Sequence, residues 1–208
     1  MANPWLQIPL ADYEGHMQSA GVEQLAVLSR LFGEVLHLCK PASVAILGVA
    51  GGNGLEHIDS SVTGRIAGVD LNPEYLAIAR ERFSHLQGLE LHCVDLSISR
   101  LRLAPLELVH AALVFEHAGV GLCLENALSL VAPGGVFSVI LQLPSEISQG
   151  VAASPFASIQ LLKPNFALID VAWFRQTIAA RGFVLSQEAT HSLAGGKSFW
   201  AGCFARDL

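Results

Sequence analysis

The stretch Ile46-Leu47-Gly48-Val49-Ala50-Gly51-Gly52-Asn53-Gly54 decides the fold. Its apolar half reads as the end of a buried strand, Val44–Val49. Its small-residue half reads as a tight turn, where backbone comes close to a ligand without Cβ clashes. Upstream, residues 12–39 read as one helix, with Leu25, Leu28, Leu31, Phe32, Val35 and Leu36 at helical spacing and Pro41 as its stop. Downstream, a short helix through Ser60 leads to a second strand, Arg65–Leu71. Pro73 and Glu74 then open a helix, a proline in the first turn and an acid at its positive end. Leu89–Val94 and Leu106–Phe115 read as strands, Gly121–Val131 as a helix, and Pro133-Gly134-Gly135 as the turn into strand Val136–Leu143. Val171–Arg181 is a helix stopped by Gly182. Phe183–Leu193 and Ser198–Arg206 flank Ala194-Gly195-Gly196-Lys197 and read as an antiparallel hairpin, with Lys197 as a charge at its tip. Short apolar runs alternating with amphipathic segments predict a parallel sheet with helical crossovers.

Composition agrees. Of 208 residues, 52% are hydrophobic and 14% charged, and mean hydropathy is +0.48. Disordered chains have the opposite balance, whereas a sheet buried on both faces has this one. The length suits a single domain spanning 1–208, with residues 1–40 as an N-terminal helical cap and 144–169 as a variable substrate-side segment. A net charge of −6 argues against nucleic acid as partner, since affinity for phosphate backbones comes from clustered Lys and Arg. No apolar run approaches the length of a membrane helix, and the Met-Ala-Asn-Pro-Trp-Leu start carries no basic n-region, so neither a membrane partner nor a signal peptide is expected. Cys39, Cys93, Cys123 and Cys203 form no C-x-x-C pair and read as buried thiols suited to a cytoplasmic location.

Three features share one position, the end of an early strand, where the ligand crevice of an open α/β sheet lies. They are the glycine turn, Asp70 closing Ile66-Ala67-Gly68-Val69-Asp70, and Asp95 closing Leu91-His92-Cys93-Val94-Asp95. An acid at the second strand's end can accept both hydroxyls of a ribose, and one at the third can accept from an exocyclic amine. Together they describe a nucleoside pocket. A dinucleotide fingerprint requires a third glycine, and here Gly52-Asn53-Gly54 is followed by Leu55-Glu56-His57.

The chain from about residue 40 resembles the class I S-adenosylmethionine-dependent methyltransferases. Gly52 and Gly54 match the last two glycines of the family's first motif, while Ala50 replaces the first glycine and Gly48 the preceding acid. Val69-Asp70-Leu71-Asn72-Pro73-Glu74 looks like the second motif, Val94-Asp95-Leu96 the adenine motif, and Val114-Phe115-Glu116-His117 the end of the fourth. Leu130-Val131-Ala132-Pro133-Gly134-Gly135 is similar to the turn before the fifth strand. The resemblance implies a three-layer, Rossmann-like α/β fold, its seven-stranded, mostly parallel sheet closed by a C-terminal antiparallel hairpin. It implies S-adenosylmethionine as cofactor and S-adenosylhomocysteine as product. The cofactor contacts it implies are Gly48, Val49, Ala50, Gly52, Asn53, Gly54, Asp70, Leu71, Asp95 and Leu96, with Tyr13 on a lid helix.

The departures define the alternatives. Gly48 cannot supply the acid that helps hold the cofactor's methionine end; Glu56 is a candidate stand-in. A positive φ at Ala50 costs about 1 kcal/mol or more unless Gly51 takes the strain. A catalytically silent relative of the same fold is therefore the main rival, and a nicotinamide-dependent oxidoreductase a weaker one. The expected reaction is O- or N-methylation of a small-molecule acceptor. His117 and Glu116 are the candidate base or acceptor contacts, against the reading that both cap the following loop. No third ligand accompanies that pair, so no metal is expected. His16 is read either as a cofactor contact or as a solvated helix residue, His110 as a core histidine, and Trp173, Phe174, Phe199 and Trp200 as packing. Homodimer formation stays open.

Overall fold

The computed structural model describes residues 3–145, 150–152, 154–193 and 195–207; parts of the 144–169 segment and Ala194 in the last turn thus lie outside the described residues. Seven strands form one sheet: β1 Ser43–Leu47, β2 Arg65–Asp70, β3 Leu89–Cys93, β4 Leu106–Ala112, β5 Val131–Gln142, β6 Phe183–Ser192 and β7 Ser198–Arg206. Their order is β3-β2-β1-β4-β5-β7-β6. The first five run parallel, and β7 is antiparallel to both β5 and β6. The chain builds outward from β1 to β3, then returns to place β4 on the other side of β1. The crevice that an α/β sheet opens at such a reversal lies over the ends of β1 and β4.

Among the described residues six α-helices, α1 Leu10–Gln18, α2 Leu25–Cys39, α3 Pro73–Arg82, α4 Phe115–Ala118, α5 Gly121–Leu130 and α6 Val171–Ala179, cover the sheet and its upper edge. On one face Cys123, Leu124 and Ala127 of α5 and Phe174 and Ile178 of α6 pack with Val109, Phe137 and Phe204. On the other, Phe32 and Leu36 of α2 and Leu76 of α3 pack with Val44, Ile46, Ile66 and Leu108. The central strands are apolar on both sides, which accounts for the low charge content.

The chain departs from its predicted elements in several places. The single helix over 12–39 is two, because Gly21 (φ +80°) and Glu23 (φ +48°) are left-handed and reverse the chain between α1 and α2. The apolar stripe belongs only to α2. The first 40 residues therefore divide, with α2 on a sheet face and α1 over the strand ends. β4 stops at Ala112, where left-handed Leu113 (φ +55°) turns the backbone into α4. Pro133-Gly134-Gly135 forms a bulge inside β5: Leu106 pairs with Val131 but Leu108 already with Val136. The helix expected after Gly54 is a 3-10 turn, Leu55–His57. Trp173 is 46% exposed, whereas Phe174, Phe199 and Trp200 are buried. Cys93 is exposed.

Candidate functional site

An open cleft lies across the strand ends. Its floor is formed by Gly48, Ala50, Asp70, Leu71, Asp95, Leu96, Leu113 and Val114. Tyr13, His16 and Met17 of α1 cover it, together with Asn3 and Trp5 from the N-terminal 3-10 turn Pro4–Gln7.

The floor depends on left-handed backbone. Gly48 has φ +70°, and a Cβ there would lie 2.9 Å from Val114 Cγ2, so no acid could occupy this position without strain. Ala50 itself is left-handed (φ +46°), and its N–H donates to Asp70 Oδ2 at 2.9 Å. Gly51 does not take over the strain; its missing Cβ makes room for the ion pair between Glu14 of α1 and Arg82 of α3, which also reaches the Gly51 carbonyl. Val49, Gly52, Asn53 and Gly54 do not line the cleft. Val49 packs in the core, Gly52 lies against Phe83, Gly54 against Phe32, and Asn53 Nδ2 donates to the Leu25 carbonyl. They shape the loop from beneath. Glu56 turns away as well: it accepts from Ser29 Oγ and from the Gly54 N–H. It does not replace the missing acid.

Asp70 Oδ1 accepts from the Asn72 N–H at 2.9 Å. Burial pushes its carboxyl up, and the backbone N–H donors of Asn72, Ala50 and Leu71 oppose that. The Asn72 side chain caps α3 and ties it to the Trp5 carbonyl, so the ribose-type acid sits in a rigid frame. At Asp95, burial raises the carboxyl, but hydrogen bonds from Ser97 and Asn3 outweigh it and hold the group below its usual range. Asn3 Nδ2 donates to Asp95 Oδ2 at 3.0 Å, the type of donor an adenine amine would present. Tyr13 stacks on Tyr75 at 6.3 Å, and Trp5 meets Tyr13 edge-on at 5.5 Å. Tyr75 Oη donates to the Ile8 carbonyl, pinning the N-terminal segment over the floor.

His117 lines the cleft between Trp5 (5.0 Å) and Phe166 (5.3 Å), with no partner for Nδ1. Burial lowers its pKa to about 4, so the imidazole is neutral near pH 7. Glu116 lies behind the cleft wall at 1% exposure. Its Oε1 accepts from the Gln142 N–H at 2.7 Å, its backbone carbonyl from the Ala167 N–H, and burial pushes its carboxyl up to about 7. It joins α4 to the end of β5 and to the 144–169 segment. His110 is a core histidine, bonded to Ser138 Oγ and stacked on Phe32.

Lys197 is not at an exposed tip. It is 3% exposed and lines the cleft, as do buried Gln24 and Gln142. Asn3, Trp5, Tyr75 and these three are residues that sequence reasoning missed; none sits in a motif, and all but Gln24 are held by long-range hydrogen bonds. Among the described residues no group of His, Cys, Asp and Glu could hold a metal ion. No helix among them is long and apolar enough to cross a membrane.

Residues 45–139 match the family model described as a methyltransferase domain. Over this stretch the chain is similar to a methyltransferase domain. The fold of the domain and its flanks is shared with solved structures. One is the N-methyltransferase NodS from Bradyrhizobium japonicum WM9, in complex with S-adenosyl-L-homocysteine: TM-score 0.63, 15% identity, covering 100% of this chain and 94% of that one. Another is the magnesium protoporphyrin IX methyltransferase ChlM from Synechocystis PCC 6803 with bound S-adenosylmethionine: TM-score 0.62, 12% identity, covering 94% and 82%. A third is the [4+2]-cyclase SpnF: TM-score 0.65, 13% identity, covering 87% and 80%. No curated protein sequence matches the chain. The matched residues supply β2 to β4, most of β1 and β5, and the floor of the cleft; the covering helix α1, the 144–169 segment and the β6–β7 hairpin lie outside them.

Proposed function

We propose that this protein transfers a methyl group from S-adenosylmethionine to a small-molecule acceptor, by O- or N-methylation, in the cytoplasm. The observation that carries this reading is the pair of strand-end carboxylates in one cleft, Asp70 fixed by the Ala50 and Asn72 N–H groups and Asp95 facing the Asn3 amide. The donor set fits the cofactor. Asp70 keeps lone pairs for the ribose hydroxyls, Asp95 can take the adenine amine, Leu71 and Leu96 give apolar walls for the ring, and left-handed Gly48 lets backbone approach the amino-acid tail. S-adenosylmethionine supplies an electrophilic methyl group there, and the chain's task is to hold a nucleophile in line with it.

Tyr13 and Trp5 cover part of the cleft, and the Glu14–Arg82 pair clamps α1 across the glycine loop. Neutral His117 lines the cleft, and the ring nitrogen that carries no proton can accept a hydrogen bond from an acceptor's hydroxyl or amine and orient its lone pair. A base of such low pKa takes a proton fully only late in the transfer, so orientation is its main contribution. Glu116 is assigned a positioning role, since it reaches His117's surroundings only through backbone.

Mass-spectrometric assay of S-adenosylhomocysteine release across a panel of small hydroxy and amino compounds tests this reading. Acceptor-dependent release is expected. A second reading, cofactor binding without transfer, is favoured by the absent acid at Gly48 and by Glu56 facing Ser29. It is distinguished by binding of both sulfur ligands with no release above the acceptor-free rate.

A further inference from the structure

The cofactor contacts above occupy the β1–β3 side of the cleft and leave unexplained three buried polar side chains at its other end. Gln142 closes β5, Lys197 immediately precedes β7, and Gln24 precedes α2; all three line the cleft and are at most 3% exposed. Lys197 Nζ donates to Gln142 Oε1 at 3.3 Å and to the Gly150 carbonyl at 3.0 Å. Both partners are neutral, and none of the ion pairs among the described residues includes Lys197. The amide donors Gln142 Nε2 and Gln24 Nε2 are buried with no hydrogen-bond partner. A buried ammonium with no counter-ion among the described residues and two unsatisfied N–H₂ groups each carry a desolvation cost. An oxyanion bound at this end of the cleft is the partner that these donors lack. Burial lowers the Lys197 pKa, as expected for an ammonium short of negative charge, and the nearby His16 is also held below its usual range, first by burial and then by Lys197.

The position of this cluster separates it from the cofactor. From β2, where Asp70 would hold the ribose, to β7 is four strand steps, roughly 19 Å at the usual spacing of about 4.8 Å. An amino-acid tail of a few bonds covers roughly 7 Å of that. The walls between are apolar: Leu113, Ile159, Leu162 and Phe166. Resting on the methyl-transfer reading of the cleft, we propose that Lys197, Gln142 and Gln24 form an anion subsite for a carboxylate on the methyl acceptor, which is therefore a small carboxylic acid with an apolar body. A carboxylate suits the set because its two oxygens can divide among one ammonium and two amides.

Calorimetric titration of matched acids and amides into the protein saturated with S-adenosylhomocysteine tests the subsite. The probes are salicylate and salicylamide, anthranilate and anthranilamide, phenylacetate and phenylacetamide, octanoate and octanamide. At least one acid is expected to bind about tenfold or more tighter than its amide, the effect of one charge-assisted hydrogen bond. Lys197→Met should erase that difference while leaving S-adenosylhomocysteine affinity within about twofold, and Gln142→Leu should reduce it about fivefold if Lys197→Met does not fold. The proposal is overturned if no acid exceeds its amide or if both variants keep the preference. It is also overturned if Lys197→Met instead weakens S-adenosylhomocysteine, since the carboxylate held would then be the cofactor's. Failure of S-adenosylhomocysteine to bind at all sinks the cofactor reading alone; the same pairs titrated without it still report on the subsite.

Discussion

Glu116→Gln separates the electrostatics of the site wall from its geometry. Glutamine keeps the oxygen that accepts from the Gln142 N–H, and its Nε2 takes the place of an Oε2 that has no partner. The variant therefore mimics the protonated carboxyl. Burial pushes Glu116 from an ordinary 4.5 up to about 7, so between these values the native state holds a proton that the unfolded chain has released. The stabilisation from this group is complete below pH 4.5 and is lost as the pH rises through about 7. At 1.36 kcal/mol per pH unit, about 3 kcal/mol of native stability disappears across that window in the wild type and stays in the variant. Urea unfolding at about pH 5 and about pH 8 measures it, because every other titrating group contributes equally to both proteins and cancels. The two should agree within about 1 kcal/mol at the lower pH, and Glu116→Gln should be about 2–3 kcal/mol more stable at the higher. Parallel pH profiles, or a variant less stable under the alkaline condition, would refute the claim that this carboxyl is buried without a counter-charge.

Three other expectations follow from the cleft. His117, lowered to about 4, should give a rate profile with no inflection between roughly pH 6 and pH 8; a break near neutrality in the wild type that disappears in His117→Gln contradicts its neutral, buried state. Ala50→Gly should raise stability slightly or leave it unchanged, because relief of a left-handed alanine offsets the added freedom of the unfolded chain, each term being about 1 kcal/mol. Gly48→Ala, with φ +70° and Val114 at 2.9 Å, should cost about 2 kcal/mol by urea unfolding; equal effects of the two substitutions would mean that the loop conformation described is wrong.

The floor of the site was legible because its chemistry is local. Asp70 and Asp95 end apolar runs, and strand ends can be read from the runs alone. The break between α1 and α2 was not legible, since Ala20, Gly21 and Val22 interrupt no apolar stripe that α1 possesses; its only apolar buried residues are Leu10 and Met17. Lys197 misled for a related reason. A lysine beside two glycines reads as a solvated turn, and only the antiparallel pairing of β7 with β5 brings it beside Gln142. Glu116 and His117 are adjacent in sequence, yet the short α4 turns only His117 into the cleft and leaves Glu116 buried behind it, a difference that no motif records.

Calorimetric titration of S-adenosylhomocysteine into the wild type, Asp70→Asn and Asp70→Ala reports whether Asp70 anchors the cofactor in this cleft. Saturable binding in the micromolar range is expected for the wild type, weakening in Asp70→Asn and loss in Asp70→Ala, with both variants still unfolding cooperatively. Absence of binding by the wild type at millimolar ligand, or undiminished affinity in Asp70→Ala, would contradict it.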